Sequence, residues 1–224
     1  MSHLENNSDY LRRNVEKDTN GEPEFSPMDP PDAYHPPSLQ AVPKNELAPL
    51  LQQLMDEHQK LTEALERFEK ILIEIRKEGI TRERNAALGG FYRVIDETVA
   101  LHHLREERLL FPLLHDRLID KGEHSTGAIR ESAVDVMESD HIRTMQLASL
   151  TLNLMGLASR LPDPASQAVV IDLAVEQGLA LSELMRLHIF REDNVVFPLA
   201  HSLISQEEFS EMQEKSIKYF SAGH

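Results

Sequence analysis

The sequence contains no cysteine and no tryptophan among its 224 residues, and only 5% of them are aromatic. Without cysteine the chain forms no disulfide, thiolate metal site or iron–sulfur cluster, and its redox compartment stays open. No stretch approaches 18 uninterrupted apolar residues, so no membrane span is expected. The N-terminal segment MSHLENNSDYLRRN lacks the apolar core of a secretory signal, which predicts a cytoplasmic protein.

Basic residues are also scarce, with 23 Lys and Arg against 38 Asp and Glu and a net charge of −15. Such a surface repels phosphate backbones and anionic lipid, so we expect neither nucleic acid nor membranes as partners. The length suffices for one domain with a full core or for two small ones.

Proline is sparse except in residues 1–44, which hold seven of the twelve prolines. Segments such as EFSPMDPPDAYHPPS have too few aliphatic residues to offset the entropy of ordering, which predicts an extended Pro-rich tail. Two interpretations stay open. The tail is a disordered leader, or its Phe25, Met28 and Tyr34 dock on the body or on a second subunit of a homodimer.

Helical periodicity begins after residue 44, where apolar residues recur at three- and four-residue steps. Local signals predict where helices start and stop: Gly79, Thr81, Gly122, Ser125 or Thr126, Asp163 and Ser205. We therefore predict an all-α fold, an antiparallel four-helix bundle over residues 45–220 that ends in a short C-terminal helix.

One block of sequence occurs twice, as LHHLREERLLFPLLHDRL from Leu101 and as LHIFREDNVVFPLAHSL from Leu187. Each copy has a His on the predicted core face and a Glu four residues later, one helical turn on, so both point the same way. The other two helices each have one core-facing His. The inward-facing polar residues are His58, His102, Glu106, His141, His188 and Glu192.

These six residues are expected at one level of the bundle. Four imidazoles and two carboxylates buried without compensation would cost several kcal/mol each. Metal ions compensate that cost, and nitrogen and oxygen ligands without sulfur suit iron, manganese or zinc. Two carboxylates shared by two ions suit a dinuclear site. All six residues are therefore candidate metal ligands.

Helix geometry predicts which way the residues next to the candidate ligands point. His103 lies 100° around the helix from His102 and has Ile189 as its counterpart, so His102 is the expected ligand. Two further histidines that recur in the block, His115 and His201, are expected at surface or interhelical positions.

Four further pairs of residues lie next to the candidate ligands. For Glu57 and Asp140, orientation of the ligand imidazoles and simple solvation both stay open. The two acids that follow the ligand carboxylates are expected to face water or pair with Arg. For two recurring arginines, pairing with acids near the site and surface ion pairs both stay open. Two recurring phenylalanines are expected to pack around the metals. These last three pairs are Glu107 and Asp193, Arg105 and Arg191, and Phe111 and Phe197.

In these motifs, HHLREERLLFP, HIFREDNVVFP and the Asp-His of the third helix, the chain resembles the hemerythrin-like (HHE cation-binding) proteins over residues 46–204. The resemblance implies a non-haem di-iron centre with His terminal ligands and bridging carboxylates, held by the same six residues. This set of four His and two Glu is similar to bacterial proteins linked to repair of stress-damaged iron centres. Oxygen carriers of the family have a second His where this chain has Met145, and the repair proteins often carry a Cys-containing module.

Three functions follow from this reading. The protein binds or senses dioxygen, peroxide or nitric oxide at an open coordination position. Alternatively it is an enzyme that detoxifies these molecules, or an iron donor in the repair of damaged centres. A third possibility is that the metal only stabilises the fold. We predict a di-iron protein that binds, senses or detoxifies one of these small ligands, and whether it turns over stays open.

Overall fold

The computed structural model describes residues 42–220, which are helical apart from short connections and include no strand. Four long helices form an antiparallel bundle, and a shorter one follows. They are α1 (Pro49–Glu78), α2 (residues 82–121), α3 (Ala133–Ala158), α4 (residues 164–203) and α5 (Gln206–Phe220). The predicted fold is confirmed. The predicted tail lies outside the described residues apart from residues 42–44. Within the described range, no helix is long and apolar enough to cross a membrane.

Most helix ends lie where the sequence places them. Gly79, with φ of 81°, ends α1 in a conformation that favours glycine. The Thr81 hydroxyl accepts the Arg84 N–H at 3.2 Å before α2. Asp163 caps α4 through the N–H of Ser166 at 2.8 Å, which satisfies a donor that the helix itself leaves unpaired.

The predicted start of α3 at Ser125 or Thr126 is wrong, because the helix begins at Ala133. Ser132 forms a capping box there: its N–H donates to Asp135 at 2.7 Å and its hydroxyl accepts the Val134 N–H at 3.2 Å. Ser125 instead closes the preceding loop through its N–H, which donates to the carbonyl of Glu131 at 2.7 Å. Ser125 therefore stabilises a turn and does not cap a helix.

Both α2 and α4 contain π-helical turns. The segments are Ile95–Val99, Glu106–Leu110 and Glu192–Val196. Two of them begin at the candidate ligand carboxylates and end just before Phe-Pro. Proline lacks an N–H and clashes with the carbonyl four residues earlier, and the wider π turn avoids that clash without breaking the helix.

The apolar core is divided by the polar residues. One buried cluster contains Leu54 and the other contains Leu61, and His58 lies between these two residues on α1. The histidines and glutamates therefore lie between two apolar clusters, in a part of the bundle that bulk water does not reach.

Close contact between α1 and α4 at Gly178 gives a test of the packing. A Cβ there would lie 2.5 Å from Leu72 Cδ1 and 3.2 Å from Phe68 Cζ, and both side chains are 0% exposed. We expect Gly178→Ala to lower the free energy of unfolding by about 1 kcal/mol in urea, since an overpacking cost of about 2 kcal/mol exceeds a gain of about 1 kcal/mol in helix propensity.

Gly90→Ala is the matched control for this substitution. No atom lies within 4 Å of a Cβ added at Gly90, so only the propensity gain applies and the free energy of unfolding should rise. Equal changes for the two variants would show that the α1–α4 contact is looser than described.

Candidate metal centre

All six predicted residues lie together at the centre of the bundle. Each is at most 3% exposed, and both glutamates are 0% exposed. They form two overlapping groups, in each of which one ligand atom per residue lies within 4.8 Å of the others. One group is His58, His102, Glu106 and Glu192, and the other is Glu106, His141, His188 and Glu192. The two carboxylates belong to both groups, as bridging ligands would.

The first group has the spacing of donors around a single cation. The Nε2 atoms of His58 and His102 are 3.0 Å apart, and His58 Nε2 lies 3.0 Å from Glu192 Oε2. Adjacent donors at right angles around an ion with bonds of about 2.1 Å lie about 3.0 Å apart. An ion fits this group with little rearrangement of the side chains.

The second group is slightly wider. His141 Nε2 lies 3.5 Å from Glu106 Oε2, and His188 Nε2 lies 3.3 Å from Glu192 Oε2. The other oxygen of Glu106 lies 3.3 Å from His102 Nε2, in the first group. Glu106 therefore presents one oxygen to each group.

The buried donor atoms lack hydrogen-bond partners among the described residues. Both oxygens of Glu106 and of Glu192 have none, and neither has the Nε2 of His141 or of His188. Such atoms cost several kcal/mol when they are left uncompensated, and a cation at their centre removes that cost. This donor set of imidazole and carboxylate fits iron, manganese or zinc.

Neighbouring charges shift the pKa values of the buried histidines and glutamates. Burial lowers the pKa of His58, but contacts with Asp193 and Glu192 outweigh it and raise the pKa to about 9. Burial likewise disfavours charged His102, yet Glu106 holds its pKa well above the usual range. Burial raises the pKa of Glu192, and the charge of His188 reverses this to well below the usual range. Because a cation binds the deprotonated forms of these ligands, metal binding releases protons.

Acidic residues orient three of the four imidazoles from outside. Asp193 lies 2.8 Å from His58 Nδ1 and Glu57 lies 2.9 Å from His102 Nδ1. Glu107 lies 2.8 Å from His141 Nδ1. Because a carboxylate accepts the proton of Nδ1, each ring keeps the lone pair of Nε2 free for a cation. The fourth pair, Asp140 and His188 Nδ1, is 3.7 Å apart and too long for a hydrogen bond.

The expectation that Glu107 and Asp193 face water or pair with Arg is met in part, because Glu107 is exposed, but each acid also contacts a histidine of the cluster. Both follow an inward-facing glutamate by one residue, which turns them 100° around the helix. That direction meets the neighbouring helix at the edge of the bundle, where each acid reaches a histidine of that helix and stays partly accessible to solvent. The signal available in the sequence is an acid directly beside each ligand position.

Of the two alternatives for the recurring arginines, the structure has the pairing with acids near the site. Arg105 Nη1 donates to both carboxylate oxygens of Glu57, at 2.8 and 2.9 Å, and Arg191 Nη1 donates to Asp140 at 2.9 Å. The Arg105 and Glu57 side chains are only 13% and 15% exposed. Arg105 therefore fixes the position of Glu57, and Glu57 in turn orients His102.

The recurring aromatic residues cover the site in an equivalent way. Phe197 stacks on His58 with ring centroids 5.6 Å apart, and Phe111 stacks on His141 at the same distance. Both phenylalanines are 0% exposed. The two copies of the sequence block thus build two similar halves of one site.

Of the remaining histidines among residues 42–220, only His103 joins the cluster. It is 6% exposed and stacks on His141, with centroids 3.6 Å apart and planes 8° from parallel. Burial lowers the pKa of His103 far below its usual range, and the charges of His141 and His102 lower it further. The ring is therefore neutral. By contrast, His115 bonds Ser132 at 2.9 Å, an interhelical position as expected.

The outer acids give a prediction for metal affinity. We expect Asp193→Asn to weaken metal binding about 10- to 100-fold, because the amide is a poorer acceptor for the Nδ1 proton of His58. Chelator competition on the purified variant measures the change. Asp96→Asn is the matched control, since Asp96 is an exposed acid elsewhere in the bundle. Equal affinities of the two variants would contradict an orienting role.

The protein is thus a helical bundle with a buried cluster of His and Glu that could hold a cation. The family model of the hemerythrin HHE cation-binding domain matches residues 50–200, and the chain belongs to this family. No curated protein matches the sequence.

Proposed function

We propose that this protein holds two iron ions and binds a small ligand, dioxygen, nitric oxide or peroxide, at them. His58 and His102 hold one ion, His141 and His188 hold the other, and Glu106 and Glu192 bridge them. The observation that carries the proposal is the pair of overlapping four-residue groups that share both carboxylates. Iron supplies open coordination positions and a change of oxidation state.

The number of donors favours a site that accepts an external ligand. Four imidazole nitrogens and two carboxylates offer at most eight donor atoms, whereas two octahedral ions take about twelve. The remaining positions are available to small molecules. A metal that only locks the fold would instead have a closed shell of protein ligands.

The surroundings suit a small uncharged ligand. Apolar clusters lie on both sides of the polar level and exclude bulk water. A cavity of about 740 Å³ between α2 and α3 is lined by His103 and His141, and it opens to solvent. Through His141, its lining includes one residue of the proposed site.

The experiment is to purify the protein without oxygen, measure its iron content, and record the visible spectrum before and after adding air or nitric oxide. We expect about two irons per chain and new charge-transfer or nitrosyl bands. Iron whose spectrum is unchanged by both gases would contradict ligand binding and favour a structural metal.

Turnover is tested on the same sample. Catalytic consumption of peroxide or nitric oxide would indicate detoxification, and stoichiometric binding would indicate a carrier or sensor. Iron release is measured as transfer to a chelator or to a metal-free acceptor protein. Faster transfer from the wild-type protein with nitric oxide than from Asp96→Asn without it would favour an iron donor.

A further inference from the structure

The solvent-exposed side of α3, here called the α3 face, is apolar and uncharged along most of its length. From Thr144 to Ser159 the sequence has no charged residue, in a chain of which 27% is charged. Of the twelve large hydrophobic residues that are exposed among residues 42–220, five lie on this helix: Ile142, Met145, Leu150, Leu152 and Leu157. Single exposed apolar residues are normal, but a continuous patch of them indicates a contact surface.

The net charge of the chain favours the α3 face for contact between two copies. Each copy carries a net charge of −15, so the acidic surfaces of two copies repel one another. Two copies therefore meet with the least repulsion through a face that has no charge in its middle. A partner attracted by its own basic charge would instead bind the acidic surfaces elsewhere on the chain.

The charges at the two ends of the α3 face are arranged symmetrically. Glu138 and Arg160 each lie 11 residues from Ser149, and all three residues are exposed. Eleven residues make three helical turns plus about 20°, so both charges lie on the same side of the helix as Ser149. Arg160 is in the turn that continues α3, where its N–H donates to the carbonyl of Leu157 at 3.0 Å. A second α3, antiparallel to the first about a two-fold axis at Ser149, therefore places Glu138 beside Arg160 of the partner subunit at both ends.

The shape of the face has the same symmetry. Ile142 and Gly156 each lie seven residues from Ser149, which is two turns less about 20°. The Ile142 side chain is 63% exposed, whereas a Cβ added at Gly156 would meet no atom within 4 Å. The same axis places Ile142 opposite Gly156 of the partner subunit, so a large side chain faces an open position twice.

We infer that the α3 face is the interface of a homodimer, in which the α3 helices of two copies pack antiparallel around a two-fold axis at Ser149. Such an interface is isologous, because each copy contributes the same residues. It does not depend on the metal. The second copy also covers the cavity beside His141, since Ile142, Met145, Gln146 and Ser149 belong to the lining of that cavity.

The first test measures mass and register on the full-length, metal-loaded protein. Sedimentation equilibrium should give twice the 25.5 kDa of one chain. Because the chain contains no cysteine, Ser149→Cys introduces one thiol per copy, and the two thiols face each other across the axis. We expect mild oxidation to join the two copies through a disulfide. Ser210→Cys, at an exposed serine of α5, is the matched control and should stay unlinked.

The second test exchanges the charges at the ends of the face. We expect Glu138→Lys to weaken dimerisation about tenfold, because both contacts with Arg160 of the partner subunit change from attraction to repulsion. Adding Arg160→Glu to the same chain should restore the wild-type dissociation constant. Glu183→Lys makes the same change at an exposed position of α4 and should not weaken dimerisation. Circular dichroism checks that each variant is folded.

A wild-type mass of one chain at about 100 μM, above the micromolar range of weak interfaces of standard size, would overturn the inference. The α3 face would then belong to another occupant, such as residues 1–41 or a different protein. A dimer that forms no Ser149→Cys disulfide would overturn the proposed register, and so would a dimer whose affinity does not respond to the charge exchange. Should Ser149→Cys not fold, the charge exchange decides.

Discussion

Replacing Glu192 by Gln is expected to prevent the protein from holding two ions. Glu192 Oε2 lies 3.0 Å from His58 Nε2 and 3.3 Å from His188 Nε2, so this one carboxylate faces both halves of the centre. The amide has the same shape but no charge, so its oxygen is a much weaker donor to two cations than the carboxylate oxygen. We expect the affinity for metal to fall by more than about 100-fold, which exceeds the loss expected when an acid that only orients a ligand is replaced. Chelator competition and metal analysis measure the change.

Glu183→Gln is the control for this substitution. Glu183 is exposed on the same helix, α4, and the change removes the same charge without touching the site. The control should load like the wild type. If Glu192→Gln also bound two ions with wild-type affinity, Glu192 would not be a bridging ligand.

Removal of metal is expected to lower the thermal stability of the protein strongly. The metal binds the folded chain, and free metal at 1,000 times the dissociation constant stabilises a one-site protein by about 4 kcal/mol. For a chain of this size 1 kcal/mol shifts the unfolding midpoint by about 2–4 °C. Stripping the metal should therefore lower the midpoint by about 8 °C or more in a calorimetric scan.

The double variant with Glu106→Gln and Glu192→Gln is the control. It lacks both shared carboxylates, so its midpoint should not respond to added metal. The same midpoint for wild-type protein with and without metal would contradict a site whose ligands are assembled only by folding.

The sequence predicts the bundle and the inward-facing residues well, because both depend on the same periodicity. Apolar residues at three- and four-residue steps define one face of each helix, and His58 interrupts such a stripe between Leu54 and Leu61. The four-residue step from His102 to Glu106 then fixes a common direction for both side chains.

The sequence does not predict what lies beside that face. Glu107, Asp193 and His103 are each one residue from an inward-facing ligand, and helix geometry alone turns them 100° away from the bundle axis. Whether that direction meets water or a neighbouring helix depends on how the helices pack. The structure has a neighbouring helix there, so all three residues contact histidines of the site.

The π turns could not be predicted from periodicity either. Phe-Pro after Glu106 and after Glu192 indicates a local break in the α-helical pattern, but proline kinks and π turns have the same sequence signal. Likewise, both Ser125 and Ser132 are suitable caps for α3, and only the hydrogen bonds of the loop show that the helix begins after Ser132.

The most direct test of the proposed centre is a crystal structure of the iron-loaded protein with anomalous scattering at the iron edge. The expected result is two peaks about 3.5–4 Å apart. One should lie about 2.1 Å from the Nε2 atoms of His58 and His102, and the other the same distance from those of His141 and His188. A single peak, or peaks bound away from Glu106 and Glu192, would contradict the dinuclear site.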